Sequence, residues 1–169
     1  GAGQRKLDYS YNPQGYLASV LDPLGRQVQF QYDQAGRVTT QTLPDGRQIL
    51  YSYDANGNLV SLTPPGQPAH LFNYTGIDQT SKYLPPDVSA GTNNTVYTYD
   101  KDKALVSVAR PDGQSMDINH DSAGRVSSIL LNPANRTLAS YAYDTTTGKL
   151  TGVTAPDGGL GFTYNGALL

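Results

Sequence analysis

Tyr32-Asp33-Gln34-Ala35-Gly36-Arg37-Val38 is followed 21 residues later by Tyr53-Asp54-Ala55-Asn56-Gly57-Asn58-Leu59. That recurrence decides the fold. An Asp-x-x-Gly tetrapeptide suits a type I turn closed by glycine: the Asp carboxylate can accept backbone N–H groups ahead of it, and glycine takes positive φ without a Cβ clash. Working outward, the same start recurs at Tyr11-Asn12, Tyr99-Asp100, Tyr143-Asp144 and Tyr164-Asn165, and with one substitution each at Tyr74-Thr75 and His120-Asp121. Successive starts lie 21, 21, 21, 25, 21, 23 and 21 residues apart. Glycine follows at Gly15, Gly36, Gly57, Gly124 and Gly148, so Asp33/Gly36, Asp54/Gly57 and Asp121/Gly124 are read as turn pairs.

A second turn signal lies about ten residues beyond each start, at Pro23-Leu24-Gly25, Pro44-Asp45-Gly46, Pro65-Gly66, Pro111-Asp112-Gly113 and Pro156-Asp157-Gly158. Proline presets φ and glycine closes the turn. Pro133-Ala134-Asn135 is a weaker version, with Asn in the glycine role. Two turns per repeat leave two short strands. The strand entering each start alternates apolar with polar, the period of a half-buried strand. Its apolar phase forms an aromatic ladder: Tyr9, Tyr11, Phe30, Tyr32, Tyr51, Tyr53, Phe72, Tyr74, Tyr97, Tyr99, Tyr141, Tyr143, Phe162 and Tyr164. The ladder takes all 3 Phe and 11 of the 13 Tyr, leaving out Tyr16 and Tyr83. The fold class expected is all-β: tandem antiparallel β-hairpins of about 21 residues.

The strand leaving each start spaces its apolar residues by three, as in Leu17/Val20, Leu59/Leu62 and Val126/Ile129. Three is not a strand period, so these strands either carry a bulge or are partly covered on both faces. The array is expected over residues 7–169, as about seven repeats, with residues 1–6 a vector-derived remnant or a disordered start. Residues 74–98 lack the Asp-x-x-Gly turn and are read as an irregular loop. Within it Tyr83, Pro85 and Pro86 are the candidate binding residues, since loops on a rigid scaffold often carry function.

Composition narrows the function classes. All 14 acidic residues are Asp, the net charge is -2, and no run of Lys or Arg suggests a nucleic-acid partner. No apolar run approaches the length of a membrane span. With no Cys there is neither a disulfide framework nor a thiolate site.

Catalytic and metal residues are expected to be none, and likewise cofactors. His120 stands in a ladder Tyr slot, His70 shares the ladder phase, and no Gly-x-Ser-x-Gly elbow occurs. Asp33, Asp54, Asp100, Asp121 and Asp144 should line one rim, but their spacing fits neither an EF-hand nor a calcium-binding roll. They are read as turn caps. The ladder is read as core, with a sugar- or peptide-binding face as the alternative. Tyr53 and Tyr99 open to water in a row would favour that alternative.

The Tyr-Asp-x-x-Gly starts and the Asp22-Pro23-Leu24-Gly25-Arg26 continuation resemble YD repeats, also called RHS repeats, over about residues 7–169. The family includes bacterial RHS polymorphic toxins, wall-associated proteins, the B and C components of insecticidal toxin complexes, and teneurins. The resemblance implies that the hairpins form a curved or spiralling sheet, a fragment of a larger hollow shell, secreted or at the bacterial cell surface. In the toxins such a shell encloses a C-terminal effector. The implied partners are the rest of the parent chain and an enclosed effector. Self-association through open sheet edges is also expected. The alternative is an adhesion module recognising a glycan or a cell-surface partner.

Overall fold

The computed structural model describes residues 6–86 and 94–166. Residues 1–5 of the expected remnant and residues 87–93 of the expected irregular loop lie outside the described residues. Contacts divide the chain into two compact units, Gly1–Asn93 and Asn94–Leu169. Every regular element described is a strand. The first unit holds β1 (Asp8–Tyr11), β2 (Leu17–Leu21), β3 (Gln27–Tyr32), β4 (Val38–Thr42), β5 (Gln48–Tyr53), β6 (Leu59–Thr63), β7 (His70–Tyr74) and β8 (Thr80–Leu84). The second holds β9 (Thr95–Tyr99), β10 (Leu105–Ala109), β11 (Ser115–His120), β12 (Val126–Asn132), β13 (Arg136–Tyr143), β14 (Leu150–Ala155) and β15 (Gly158–Gly161).

Within each unit every strand pairs antiparallel with the next, in chain order, and touches no other strand of its unit. Most turns of both kinds share one geometry; 144–149 is one residue longer and 155–158 one shorter. The Gly36 N–H donates to the Asp33 carbonyl at 3.1 Å, and the Asp33 N–H to the Arg37 carbonyl at 2.9 Å. On the opposite rim Gly25 and Asp22 do the same at 3.0 Å each, with Pro23 presetting the first corner. These are three-residue hairpin loops with the last residue left-handed. Where glycine is absent the chain still adopts that conformation, at Asp78 (φ 62), Lys103 (φ 68) and Asn135 (φ 49). Asn135 thus fills the glycine role expected of it.

The spacing of three is a β-bulge. Tyr11 pairs with Leu17 while Ser10 pairs with Ser19, which leaves Ala18 as the extra residue. The same slip follows the turn at Val38, Leu59, Thr80, Leu105, Val126 and Leu150. One inserted residue returns the apolar side chains to the aromatic face, so Val20 faces Tyr9 and Leu62 faces Tyr51.

Three expectations change. The irregular stretch is shorter than 74–98, because Thr75–Asp78 closes a regular turn and Thr80–Leu84 is a strand. Thr75 does the work of Asp, its Oγ1 accepting the N–H groups of Ile77 and Gln79 at 3.3 and 3.2 Å. Second, the ladder is not a sealed core. Among the described residues no apolar side chain is buried, and Ser19 is the one buried polar residue. A sheet whose strands meet only their neighbours has nothing to lay over its faces, so cross-strand packing half-buries most of the rings and leaves Tyr9 and Tyr11 exposed. Third, β15 stops at Gly161, which leaves Phe162 and Tyr164 beyond the last strand. Gly158, Gly159 and Gly161 supply little strand propensity there.

Candidate functional site

The candidate site is the junction between one repeat and the next. Within a hairpin the strands pair up to the turn. Between hairpins the pairing stops short at the bulge. In the first unit β2 and β3 pair only as far as Ser19 and Gln29. Beyond that point the Tyr32 hydroxyl donates to the Leu17 carbonyl at 2.8 Å. The bond recurs from Tyr53 to Val38 (2.9 Å), Tyr74 to Leu59 (2.8 Å), Tyr143 to Val126 (2.9 Å) and Tyr164 to Leu150 (2.8 Å). Each acceptor is the first residue of a bulge. A bulge interrupts the ladder, and the phenol of the following repeat satisfies the carbonyl it frees. The bond uses the Tyr hydroxyl, which Phe at the same place could not supply.

A second tie uses the residue after each turn glycine. Arg37 Nε donates to Asp33 Oδ2 at 2.7 Å within its own turn. Its Nη1 reaches the Asp54 carbonyl of the next turn at 3.2 Å, and its guanidinium lies 4.7 Å from the Tyr53 ring centre. Arg125 repeats the pattern, with Asp121 Oδ2 at 2.8 Å, the Gly148 carbonyl at 3.2 Å and the Tyr143 ring at 4.3 Å. Lys149 lies 4.9 Å from the Tyr164 ring centre and donates to the Gly166 carbonyl. Tyr16 stacks on Tyr32 with centres 5.0 Å apart, its hydroxyl so close over Gly36 that a Cβ there would collide. Gly36 is therefore fixed twice, by its φ of 78° and by this approach. Asn58 bridges Asp54 Oδ2 at 3.0 Å and Asp78 Oδ1 at 2.7 Å, and Asn56 adds a bond to the same Asp78 oxygen at 2.9 Å.

Electrostatics follow from these contacts. The Arg37 backbone N–H, seconded by its guanidinium, holds the Asp33 carboxyl below the usual carboxylate range. Arg125 does the same to Asp121, chiefly through its side chain. The Asn58 side-chain amide leads for Asp54, and the Thr147 backbone N–H for Asp144. Burial pushes the Tyr53 phenol up.

Asp33, Gly36, Asp54, Gly57, Asp121 and Gly124 all sit at turns. Each Asp Oδ1 accepts two N–H groups ahead of it, for example Ala35 at 2.9 Å and Arg37 at 3.0 Å for Asp33. Tyr83, expected on a loop, lies in β8 opposite Phe72. Its hydroxyl bonds His70 Nδ1 at 2.7 Å, and its ring stacks with Phe72 at 5.3 Å. Pro85 and Pro86 follow that strand. Tyr83 therefore joins the ladder face, and its signal was the spacing of three from Thr80 seen in the other outgoing strands. Tyr53 and Tyr99 are half-buried and form no open row. Among the described residues no group of three His, Asp, Glu or Cys converges as a metal site.

A sequence profile of the teneurin YD-shell family matches residues 1–169. No curated protein sequence matches. Among solved structures, that of TcdB2-TccC3-TEV is similar to 97% of this chain at 15% identity and a TM-score of 0.43. TcdB2-TccC3 without its hypervariable C-terminal region is similar to 95% at 15% identity and 0.33. The Photorhabdus luminescens Tc holotoxin pore is similar to 95% at 14% identity and 0.33. The chain spans 12 to 13% of the length of those chains.

Proposed function

The chain belongs to the teneurin YD-shell family, and from that premise we propose that it is a length of wall in a larger secreted β-shell that surrounds a toxin effector. The observation that carries the reading is the Tyr hydroxyl bonded to the bulge carbonyl one repeat back, as from Tyr53 to Val38 at 2.9 Å. Such a bond links each hairpin only to its predecessor, so hairpins can be added without altering those already laid down. Aromatic rings and turn carboxylates are spent on this linkage, which fits a load-carrying wall rather than a reacting centre.

The test is enclosure in the full-length parent. Timed proteolysis followed by mass spectrometry should leave a segment outside the repeats uncut while the wall is intact. Release should come earlier in the Tyr53→Phe/Tyr143→Phe double variant. A C-terminal segment cut as fast in the intact parent as when free would overturn the enclosure reading.

A further inference from the structure

We propose that Asn56 is a site of spontaneous deamidation, and that the carboxylate it leaves loosens the junction between the third and fourth hairpins. The proposal concerns a covalent modification and stands apart from what the wall surrounds.

The chemistry needs only water. The Gly57 backbone nitrogen attacks Asn56 Cγ, a new C–N bond closes a five-membered succinimide, and the Cγ–Nδ2 bond breaks to release ammonia. Water then opens the ring at either carbonyl, giving aspartate or isoaspartate. Glycine at 57 presents the least hindered backbone nitrogen available. Asn56 and Gly57 are both exposed. The Gly57 N–H is held to the Asp54 carbonyl at 3.2 Å, against 2.9 Å for Gly15 and Gly124 in sister turns. The Gly57 N–H also faces the Asp54 carboxylate, so local opening of the turn must release it from both groups before it reacts.

The neighbourhood gives the change a consequence. Asp78 Oδ1 accepts from both Asn56 at 2.9 Å and Asn58 at 2.7 Å. Asp78 itself stands at φ 62, the slot that sister turns fill with glycine. That conformation is unfavourable for a residue with a Cβ, and the two amide bonds offset it. Deamidation exchanges one donor for a carboxylate facing Asp78. Asp54, already tied to Asn58 at 3.0 Å, brings a third negative group beside them. Attraction becomes repulsion at the tie between these repeats.

To test this, the chain is aged at mildly alkaline pH and body temperature and mapped by peptide mass spectrometry with isoaspartate detection. Asn165-Gly166 is the same dipeptide in an exposed position and serves as the chemical reference. Asn56 should gain the mass of an amide-to-acid change with release of ammonia. Asn165 converting while Asn56 stays intact, or neither converting, would overturn the proposal. The consequence is read separately with Asn56→Asp. Proteolytic cutting between residues 54 and 80 should rise roughly two- to five-fold at low salt and less at high salt. In an Asp78→Gly background, where only Asp54 remains to repel it, the same substitution should raise cutting by less than half as much. Equal sensitivity in both backgrounds would remove the charge conflict and with it the proposed loosening.

Discussion

The junction centred on Arg37 and Tyr53 and the one centred on Ala104 and His120 occupy the same place in the repeat and are built differently. At the first, a phenol closes the bulge carbonyl at 2.9 Å and a guanidinium spans two turns while covering the phenol ring. At the second, His120 stands in the Tyr slot and has no hydroxyl, and Ala104 has no reach toward the next turn. The backbone does not register the difference, since β10 and β11 still pair and the bulge after Tyr99 is unchanged. Strand pairing therefore sets the geometry of the repeat, while side chains set how firmly one repeat is tied to the next.

Acid should have the largest effect, because it acts on several ties together. The carboxyls of Asp22, Asp33, Asp45, Asp54, Asp121 and Asp144 are all held below their ordinary value. A folded-state value below the unfolded one, about 3.9 for Asp, contributes stability that is complete above the unfolded value. That stability is lost as pH falls through the lower, folded value. Denaturation midpoints should hold steady from neutrality to about pH 5 and drop below about pH 4. Hydrogen exchange should show protection at 33–37 and 121–125 lost in step with that drop. Unchanged protection there at pH 3 would break the account of the turns.

Truncation tests the two junctions directly. Tyr53→Ala removes both the hydroxyl bond and the ring under Arg37, and should cost about 2 kcal/mol in urea denaturation. His120→Ala should cost less than half of that. Equal losses would show that the phenol tie has no special weight. Tyr53→Phe isolates the hydroxyl and should cost about 1 kcal/mol.

Repair is the converse experiment. Ala104→Arg with His120→Tyr installs the missing pair and should stabilise the second unit by about 1 kcal/mol. The single substitutions should sum to less than the double. Smallest is Lys103→Gly, which relieves a left-handed residue at φ 68 and should add about 0.5 kcal/mol. It alters the turn and not the tie, so it should leave the contrast between the junctions intact.

Much of this was legible in the sequence. The alternation of Val28-Phe30-Tyr32 and the glycine three residues after Asp33 give the strands and turns directly, because backbone conformation there depends on residue type alone. The Leu17/Val20 spacing left two explanations open, and only pairing partners could choose the bulge. The cross-repeat tie was hidden for a different reason. Tyr16, Arg37, Asn58, Arg125 and Lys149 share a position but no single chemistry, being aromatic, cationic or amide. What they have in common is reach, which composition does not display. Lys103 and Asp78 escaped notice because their conformation is imposed by the hairpin around them. The half-buried state of the ladder was also out of sight, since alternation shows that a strand has two unlike faces and not whether anything lies against them.

The hydroxyl bond from Tyr53 to Val38 spans only 15 residues of chain. Its counterparts span 14 to 17. Loop closure over such distances is fast and costs little entropy, and low contact order favours rapid folding. A hairpin leaving the ribosome finds its docking carbonyl already in place on the hairpin made just before it. The wall can be assembled during synthesis, one hairpin at a time, in the order in which it is translated.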